Sequence, residues 1–145
     1  MLEMSGIVKR FPGVVANAGV DFEVRAGEVH TLLGENGAGK STLMKILYGL
    51  YQADSGGVRL EGEEVEITSP TDAIAHGIGM IHQHFMLVDT LTVAENVALG
   101  LKSDRGALTD FDRVSERIGE LSERYGLDID PEALIWQLAV GQRQR

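Results

Sequence analysis

Residues 34–42 read G-E-N-G-A-G-K-S-T and combine three glycines, one lysine and two hydroxyl side chains. Gly34, Gly39, Lys40 and Ser41 match the four defined positions of the GxxxxGK[ST] pattern. Glycines let a backbone turn its N–H groups inward around phosphate oxygens, and lysine adds a positive charge. The Ser41 hydroxyl stands where a phosphate-bound Mg²⁺ takes an oxygen ligand. The pattern therefore predicts a polyphosphate site with Mg²⁺, and we call residues 34–42 the phosphate loop.

The flanking sequence predicts the elements that would hold this loop. Residues 29–33 (V-H-T-L-L) form an apolar run suited to a buried strand, and Leu43, Ile46, Leu47 and Leu50 share one face of a helix. A helix N-terminus would direct its partial positive charge at the phosphates. This strand-loop-helix order favours a phosphate site over a glycine-rich turn with a surface lysine. Every loop residue is then a candidate contact: Gly34, Glu35, Asn36, Gly37, Ala38, Gly39, Lys40, Ser41 and Thr42.

Composition restricts the class of protein. The chain has 145 residues, of which 43% are hydrophobic and 24% charged, so it can form one folded domain with a core. No run approaches the roughly 20 apolar residues of a membrane helix, and no signal peptide is evident, which favours the cytosol. The net charge of −9 arises entirely after residue 50. Such acidity repels nucleic acid and argues against it as a partner.

Up to about residue 90 the pattern is mixed and rich in strands. Ser69 and Pro70 begin a short helix that ends before Gly77. Short apolar runs at residues 58–60 and 65–67 flank Gly62 and predict a hairpin. In addition to the apolar run at residues 29–33, extended segments are predicted at residues 7–11, 20–25, 58–60, 65–67 and 78–82.

After residue 90 the pattern becomes helical. Thr92 and Glu95 have the spacing of a capping box, which begins a helix running to about Leu101. A polar link at residues 103–107 precedes an amphipathic helix over residues 111–125 that ends at Gly126. Asp130 and Pro131 are expected to cap one more short helix.

A second motif lies in the last eight residues. Residues 138–142 read L-A-V-G-Q, followed by R-Q-R, and we call them the signature segment. They resemble the LSGGQ signature of ABC ATPases, about a hundred residues after the phosphate loop, in the family's order. Three positions match that signature and two depart from it; the candidate contacts are Leu138, Ala139, Val140, Gly141 and Gln142.

The resemblance to the ABC nucleotide-binding domain implies an α/β fold. It consists of an ABC-type P-loop NTPase core with an antiparallel β subdomain and a helical subdomain. Residues 1–90 would form the ATP-binding core and β subdomain, and residues 91–145 the helical subdomain ending at the signature segment. In the family the magnesium aspartate and the catalytic glutamate follow the signature. We therefore expect a fragment truncated before Walker B that binds ATP with Mg²⁺ but does not hydrolyse it alone.

Two further site residues follow from the resemblance. Phe11 matches the aromatic residue that the family places against adenine, although a phenylalanine on a strand is also an ordinary core residue. Gln83 matches the hinge glutamine that reaches Mg²⁺, senses the γ-phosphate and so contributes to catalysis. The alternative for Gln83 is an exposed loop residue.

The phosphate loop and the run A-E-N-V-A-L-G at residues 94–100 are most similar in sequence to importer ATPases for simple sugars and nucleosides. That resemblance implies two partners: a second ABC ATPase domain arranged head to tail, and membrane permease subunits. The protein would then be cytoplasmic and peripheral on the inner face of the cell membrane. Ala139 stands where most signatures have serine, so the signature segment would lack the hydroxyl that meets the facing γ-phosphate.

Two other readings of the sequence remain open. Residues 85–89 (F-M-L-V-D) have the pattern of a Walker B strand, in which Asp89 would bind Mg²⁺ in a complete small P-loop NTPase or kinase. Thr90 follows that aspartate instead of a second acid, which disfavours this reading. The other reading is a non-transport ABC protein acting on nucleic acid or ribosomes, which the acidity disfavours.

Overall fold

The computed structural model describes residues 1–82, 86–99 and 110–143. The chain divides into two compact units, Met1–Ile81 and His82–Arg145. Gln83 and the predicted link at residues 103–107 lie outside the described residues. None of the helices in the described ranges has the length and apolar character needed to cross a membrane.

The first unit is built on a four-stranded antiparallel sheet in the spatial order β2-β1-β3-β4. Its strands are β1 (Leu2–Phe11), β2 (Val14–Val24), β3 (Ser55–Leu60) and β4 (Glu63–Val65). In the inner strand β1, Leu2 pairs with Val24 on one side and Leu60 on the other. The predicted hairpin around Gly62 is confirmed, since Val58 pairs with Val65, but its second strand covers Glu63–Val65 and not residues 65–67. The segments predicted at 7–11 and 20–25 belong to the longer β1–β2 hairpin.

Helices α1 (Lys40–Leu47) and α2 (Pro70–Ala75) complete the first unit. Its buried apolar core consists of Met4, Ile7, Leu43, Ile46, Leu47, Val58, Ile67 and Ala73. Leu50 was predicted on the same helical face but is 42% exposed, because α1 has already ended. Gly49 has a φ of +76°, and a Cβ there would lie 2.6 Å from the Ser69 carbonyl group. The close approach of the chain at Gly49 therefore accompanies the end of α1.

The second unit is helical and includes α3 (Val93–Ala98), α4 (Phe111–Tyr125) and α5 (Val140–Arg143). The predicted capping box at Thr92 is confirmed: its hydroxyl accepts from Glu95 N, and the Glu95 carboxylate accepts from Thr92 N. The predicted end of that helix near Leu101 lies outside the described residues. Helix α4 ends as predicted at Gly126, which has a φ of +63°.

Two predicted strands are absent. Residues 29–33 form no strand, and Val29 is 95% and Leu33 85% exposed. A buried strand needs neighbours that pair with its backbone and cover its faces, and nothing in the described ranges pairs with this run. Residues 78–82 likewise form no strand, and Ile81 is almost fully exposed.

The prediction of a short helix capped by Asp130 and Pro131 is also wrong. Glu132 N does donate to the Asp130 carboxylate, as in a cap, but a turn follows and then a 3₁₀ helix over Ile135–Gln137. The Ala133 and Pro131 carbonyls accept instead from Val93 N and Ala94 N, at 3.0 and 2.9 Å. Backbone groups that a helix would use internally are therefore bonded to the start of α3.

We predict that Thr92→Ala lowers the free energy of unfolding of the second unit by about 1 kcal/mol, because it leaves Glu95 N without its side-chain acceptor. Thr92→Ser keeps a hydroxyl and is the matched control. Urea unfolding followed by far-UV circular dichroism measures both variants. Equal losses in the two would show that the cap hydroxyl is not what stabilises α3.

Candidate functional site

The phosphate loop closes on its own lysine. The Lys40 ammonium donates to the backbone carbonyl of Gly34 at 2.6 Å and to that of Glu35 at 2.8 Å. Ala38 N donates to the Glu35 carbonyl at 3.2 Å, which tightens the turn between them. Two backbone carbonyls therefore hold the Lys40 ammonium at the loop, next to the N-terminus of α1.

The loop joins α1 through Gly39, whose φ of +85° is left-handed. A Cβ at this position would lie 2.0 Å from the Ala16 carbonyl oxygen on β2, so no other residue fits without a shift of the backbone. The Asn17 side chain, buried in the same strand, donates to the Gly39 carbonyl at 3.4 Å. Strand β2 thus fixes the point at which the loop becomes a helix.

Backbone donors at the start of α1 have no partner within the helix. The first bond of the helix runs from Leu43 N to the Gly39 carbonyl, and no side chain caps the N–H groups ahead of it. These orphan donors carry the positive end of the helix dipole. Ser41, the predicted magnesium ligand, is exposed here, while Thr42 is half-buried. The loop can therefore present an ammonium, several N–H groups and a hydroxyl to one anion.

Phe11 lies at the end of β1, half-buried, rather than in the core. Its ring meets Tyr51 edge to face with centroids 5.4 Å apart, and the Lys9 ammonium lies 5.6 Å from its centroid. Lys9 also pairs with the Asp54 carboxylate at 3.0 Å, which together with the Arg10 N–H holds the pKa of Asp54 below its usual value. Tyr51 and Asn17 were not predicted as neighbours of the site, because neither belongs to a local pattern.

The signature segment straddles the start of α5. Leu138 is half-buried, and the three residues that follow it are exposed. The Gln142 side chain accepts from Ala139 N at 2.9 Å, and a Cβ added at Gly141 would meet nothing within 4 Å. The segment therefore presents an open backbone surface. Gln83, the predicted catalytic residue and the second predicted metal ligand, is not among the described residues.

Asp89 does not end a strand. It lies in a turn, and residues 86–88 before it are exposed and irregular. Its carboxylate pairs with Arg143 at 3.2 Å within the second unit. The described residues hold no group of three or more metal-ligating side chains of the His, Cys, Asp and Glu types. The strand expected of a Walker B aspartate is thus missing before Asp89.

We predict that Gly39→Ala destabilises the first unit far more than Gly37→Ala. Both positions are left-handed, which costs an alanine about 1–2 kcal/mol, but only Gly39 would also drive a Cβ into the Ala16 carbonyl, for about 1–3 kcal/mol more. Urea unfolding of the two variants separates these terms. Equal destabilisation would show that β2 does not constrain the loop.

Comparison with known proteins shows which family this chain resembles. The family model described as ABC transporter matches residues 18–145. The guanosine import ATP-binding protein NupO of Bacillus subtilis is 52% identical over 145 residues, which are 100% of this chain and 28% of that protein. The ribose import ATP-binding protein RbsA 1 of Rubrobacter xylanophilus is 53% identical over 144 residues, 99% of this chain and 29% of that protein. The chain thus spans under a third of these relatives.

Solved structures similar in fold include cassettes of the same family. A nucleotide-free ATP-binding cassette from an ABC transporter has a TM-score of 0.83 at 27% identity, covering 99% of this chain and 61% of that one. A dimeric post-hydrolysis state of the cassette MJ0796, bound to ADP and Pi, has a TM-score of 0.74 at 26% identity and covers 99% and 66%. The predicted ABC cassette fold is confirmed. With the family model matched from residue 18 onward, this chain belongs to the ABC transporter family.

Proposed function

We propose that this chain is the ATP-binding part of an importer ATPase for a sugar or a nucleoside, with Mg-ATP held in the phosphate loop. The observation that carries the proposal is the Lys40 ammonium, which is hydrogen-bonded to the loop carbonyls of Gly34 and Glu35 at the N-terminus of α1. Two relatives are named for the import of guanosine and of ribose, which supports a nucleoside or a sugar as the solute. They also favour transport over a role on nucleic acid or ribosomes.

The loop residues would divide the work of holding ATP. Lys40 has three N–H donors, of which two reach the Gly34 and Glu35 carbonyls, so a phosphate oxygen can be bound without dismantling the loop. The orphan N–H groups of α1 would bind further oxygens. Ser41 would ligate Mg²⁺ together with Gln83, and the ion would neutralise phosphate charge. The exposed Asn36 and Gly37 would line the mouth of the loop.

The base would be received at the end of β1. Phe11 is half-buried and already contacts Tyr51, so adenine stacking would extend an aromatic pair instead of opening the core. The Lys9–Asp54 ion pair fixes the backbone there, because Asp54 also accepts from Arg10 N at 2.6 Å. This arrangement supports an adenine role for Phe11.

The signature segment would close over ATP held by a facing ABC ATPase domain, in a head-to-tail pair that couples to permease subunits at the inner face of the membrane. Ala139 offers no hydroxyl, so the contact would depend on backbone N–H groups near Gly141. Hydrolysis would require the catalytic glutamate, which the resemblance places after the signature. The engagement of Asp89 by Arg143 gives no support to a self-sufficient NTPase.

We predict that Lys40→Ala weakens Mg-ATP binding by about ten- to a hundred-fold, since charge-assisted hydrogen bonds contribute about 1.5–3 kcal/mol. Calorimetric titration of the protein that contains this chain measures it. Arg59→Ala, which removes a cation from the exposed face of β3, is the matched control and should leave the affinity unchanged. Similar affinities for wild type and Lys40→Ala would refute nucleotide binding in the loop.

We also predict that Gly141→Asp abolishes ATP-dependent dimerisation while ATP affinity at Lys40 stays within a few-fold. A Cβ at Gly141 would meet nothing within 4 Å in its own chain, so the expected loss comes from a carboxylate placed against the facing phosphate. Gly119→Asp on α4, another glycine with open space, is the control. Sedimentation with and without ATP reports dimerisation, and unchanged dimerisation of Gly141→Asp would contradict the signature assignment.

A further inference from the structure

The Arg143 guanidinium joins three separate points of the second unit. Its Nε donates to the Leu138 carbonyl at 3.0 Å, and one terminal nitrogen donates to the Trp136 carbonyl at 3.3 Å. The other terminal nitrogen reaches the Asp89 carboxylate at 3.2 Å. A guanidinium has the planar fork that such divergent acceptors need, whereas a lysine ammonium does not. Arg143 therefore holds the backbone on the N-terminal side of the exposed part of the signature segment.

Backbone bonds bring the Asp89 segment alongside this region. Trp136 N donates to the Asp89 carbonyl at 3.2 Å, and Ile135 N to the Leu91 carbonyl at 3.1 Å. Thr92 and Leu134 form an isolated antiparallel bridge next to them. The ion pair thus adds a side-chain contact at the end of a short ladder of main-chain contacts.

The Asp89 turn is itself braced. The Asn96 side chain on α3 accepts from Val88 N at 2.8 Å and donates to the carbonyls of Val88 and Thr92 at 3.1 and 2.9 Å. Leu91 N closes the turn on the Val88 carbonyl. Both sides of the Asp89 turn are therefore tied down, which fixes the backbone from which the Asp89 carboxylate reaches Arg143.

We propose that Asp89 and Arg143 are a positioning pair for the signature segment, an inference that rests on the function proposed above. Arg143 fixes the Leu138 carbonyl, and Asp89 fixes the orientation of the guanidinium. With alanine at position 139, closure over a facing nucleotide depends on where backbone donors stand, so small displacements of residues 139–141 reduce it. Asp89 therefore acts on the signature and not on Mg²⁺.

The test uses the protein that contains this chain, with Asp89→Asn, Arg143→Met and the double variant. We expect each single variant to weaken ATP-dependent dimerisation by about three- to ten-fold, with Arg143→Met the more severe because it loses all three contacts. Asp89→Asn added to Arg143→Met should have no further effect, since the two residues act as a unit. Mg-ATP affinity under conditions that keep the protein monomeric should be unchanged.

Arg117→Met is the matched control, because Arg117 pairs with Glu120 on α4, a contact 2.6 Å long that involves none of residues 138–142. It should leave dimerisation unchanged, and its melting temperature gives the shift that a lost surface ion pair causes. Arg143→Lys, which keeps the charge and loses the fork, replaces Arg143→Met if that variant does not fold. It should weaken dimerisation as well.

Each contrary result has a definite meaning. Unimpaired dimerisation of Asp89→Asn and of the Arg143 variants, in an assay where Gly141→Asp abolishes it, overturns the positioning pair and leaves the proposed function standing. Additive effects of the two single variants also overturn the pair. Loss of monomer Mg-ATP affinity in Asp89→Asn does so too, because Asp89 would then act on the nucleotide. If Gly141→Asp is itself harmless, the signature assignment fails, and the pair fails with it.

Discussion

The close contact between Gly39 and the Ala16 carbonyl is the constraint on which the first unit depends. At this residue the non-helical part of the phosphate loop ends, α1 begins and β2 passes within reach, so sheet, loop and helix meet where no side chain fits. The position of Lys40, the next residue, follows from it. The geometry of the predicted phosphate loop is thus set by a strand that carries no recognisable binding motif, and a rigid supporting element of this kind would keep such a site preorganised.

A preorganised loop also explains the internal bonds of Lys40. An ammonium held only by water would have to be desolvated and ordered when ligand arrives, whereas here two backbone carbonyls already replace part of its water. Under the proposed function, an anion that enters the loop would therefore meet a charge already in place. These two bonds use part of the donor capacity of Lys40, and the orphan N–H groups of α1 would supply further donors to a bound anion.

Features decided by neighbouring residues could be predicted from the sequence. The Thr92 capping box, the end of α4 at Gly126 and the glycine-lysine loop depend on contacts within a few positions, and each is found where its pattern lies. The strand expected at residues 29–33 depends on partners elsewhere, and the described ranges supply none. The buried carboxamide of Asn17 belongs to the same class, since only the folded hairpin brings it to Gly39.

Asp89 shows why residue type and spacing underdetermine chemistry. An apolar run ending in aspartate is compatible with a magnesium carboxylate, a surface charge or an ion-pair partner, because all three need the same exposed oxygen atoms. The partner that the fold brings to it decides among them. Here a guanidinium from residue 143 occupies one carboxylate oxygen, in a turn braced by Asn96. No local sequence pattern predicts a contact between residues 54 positions apart. The role of the Asp89 carboxylate can therefore be assigned only from the folded chain.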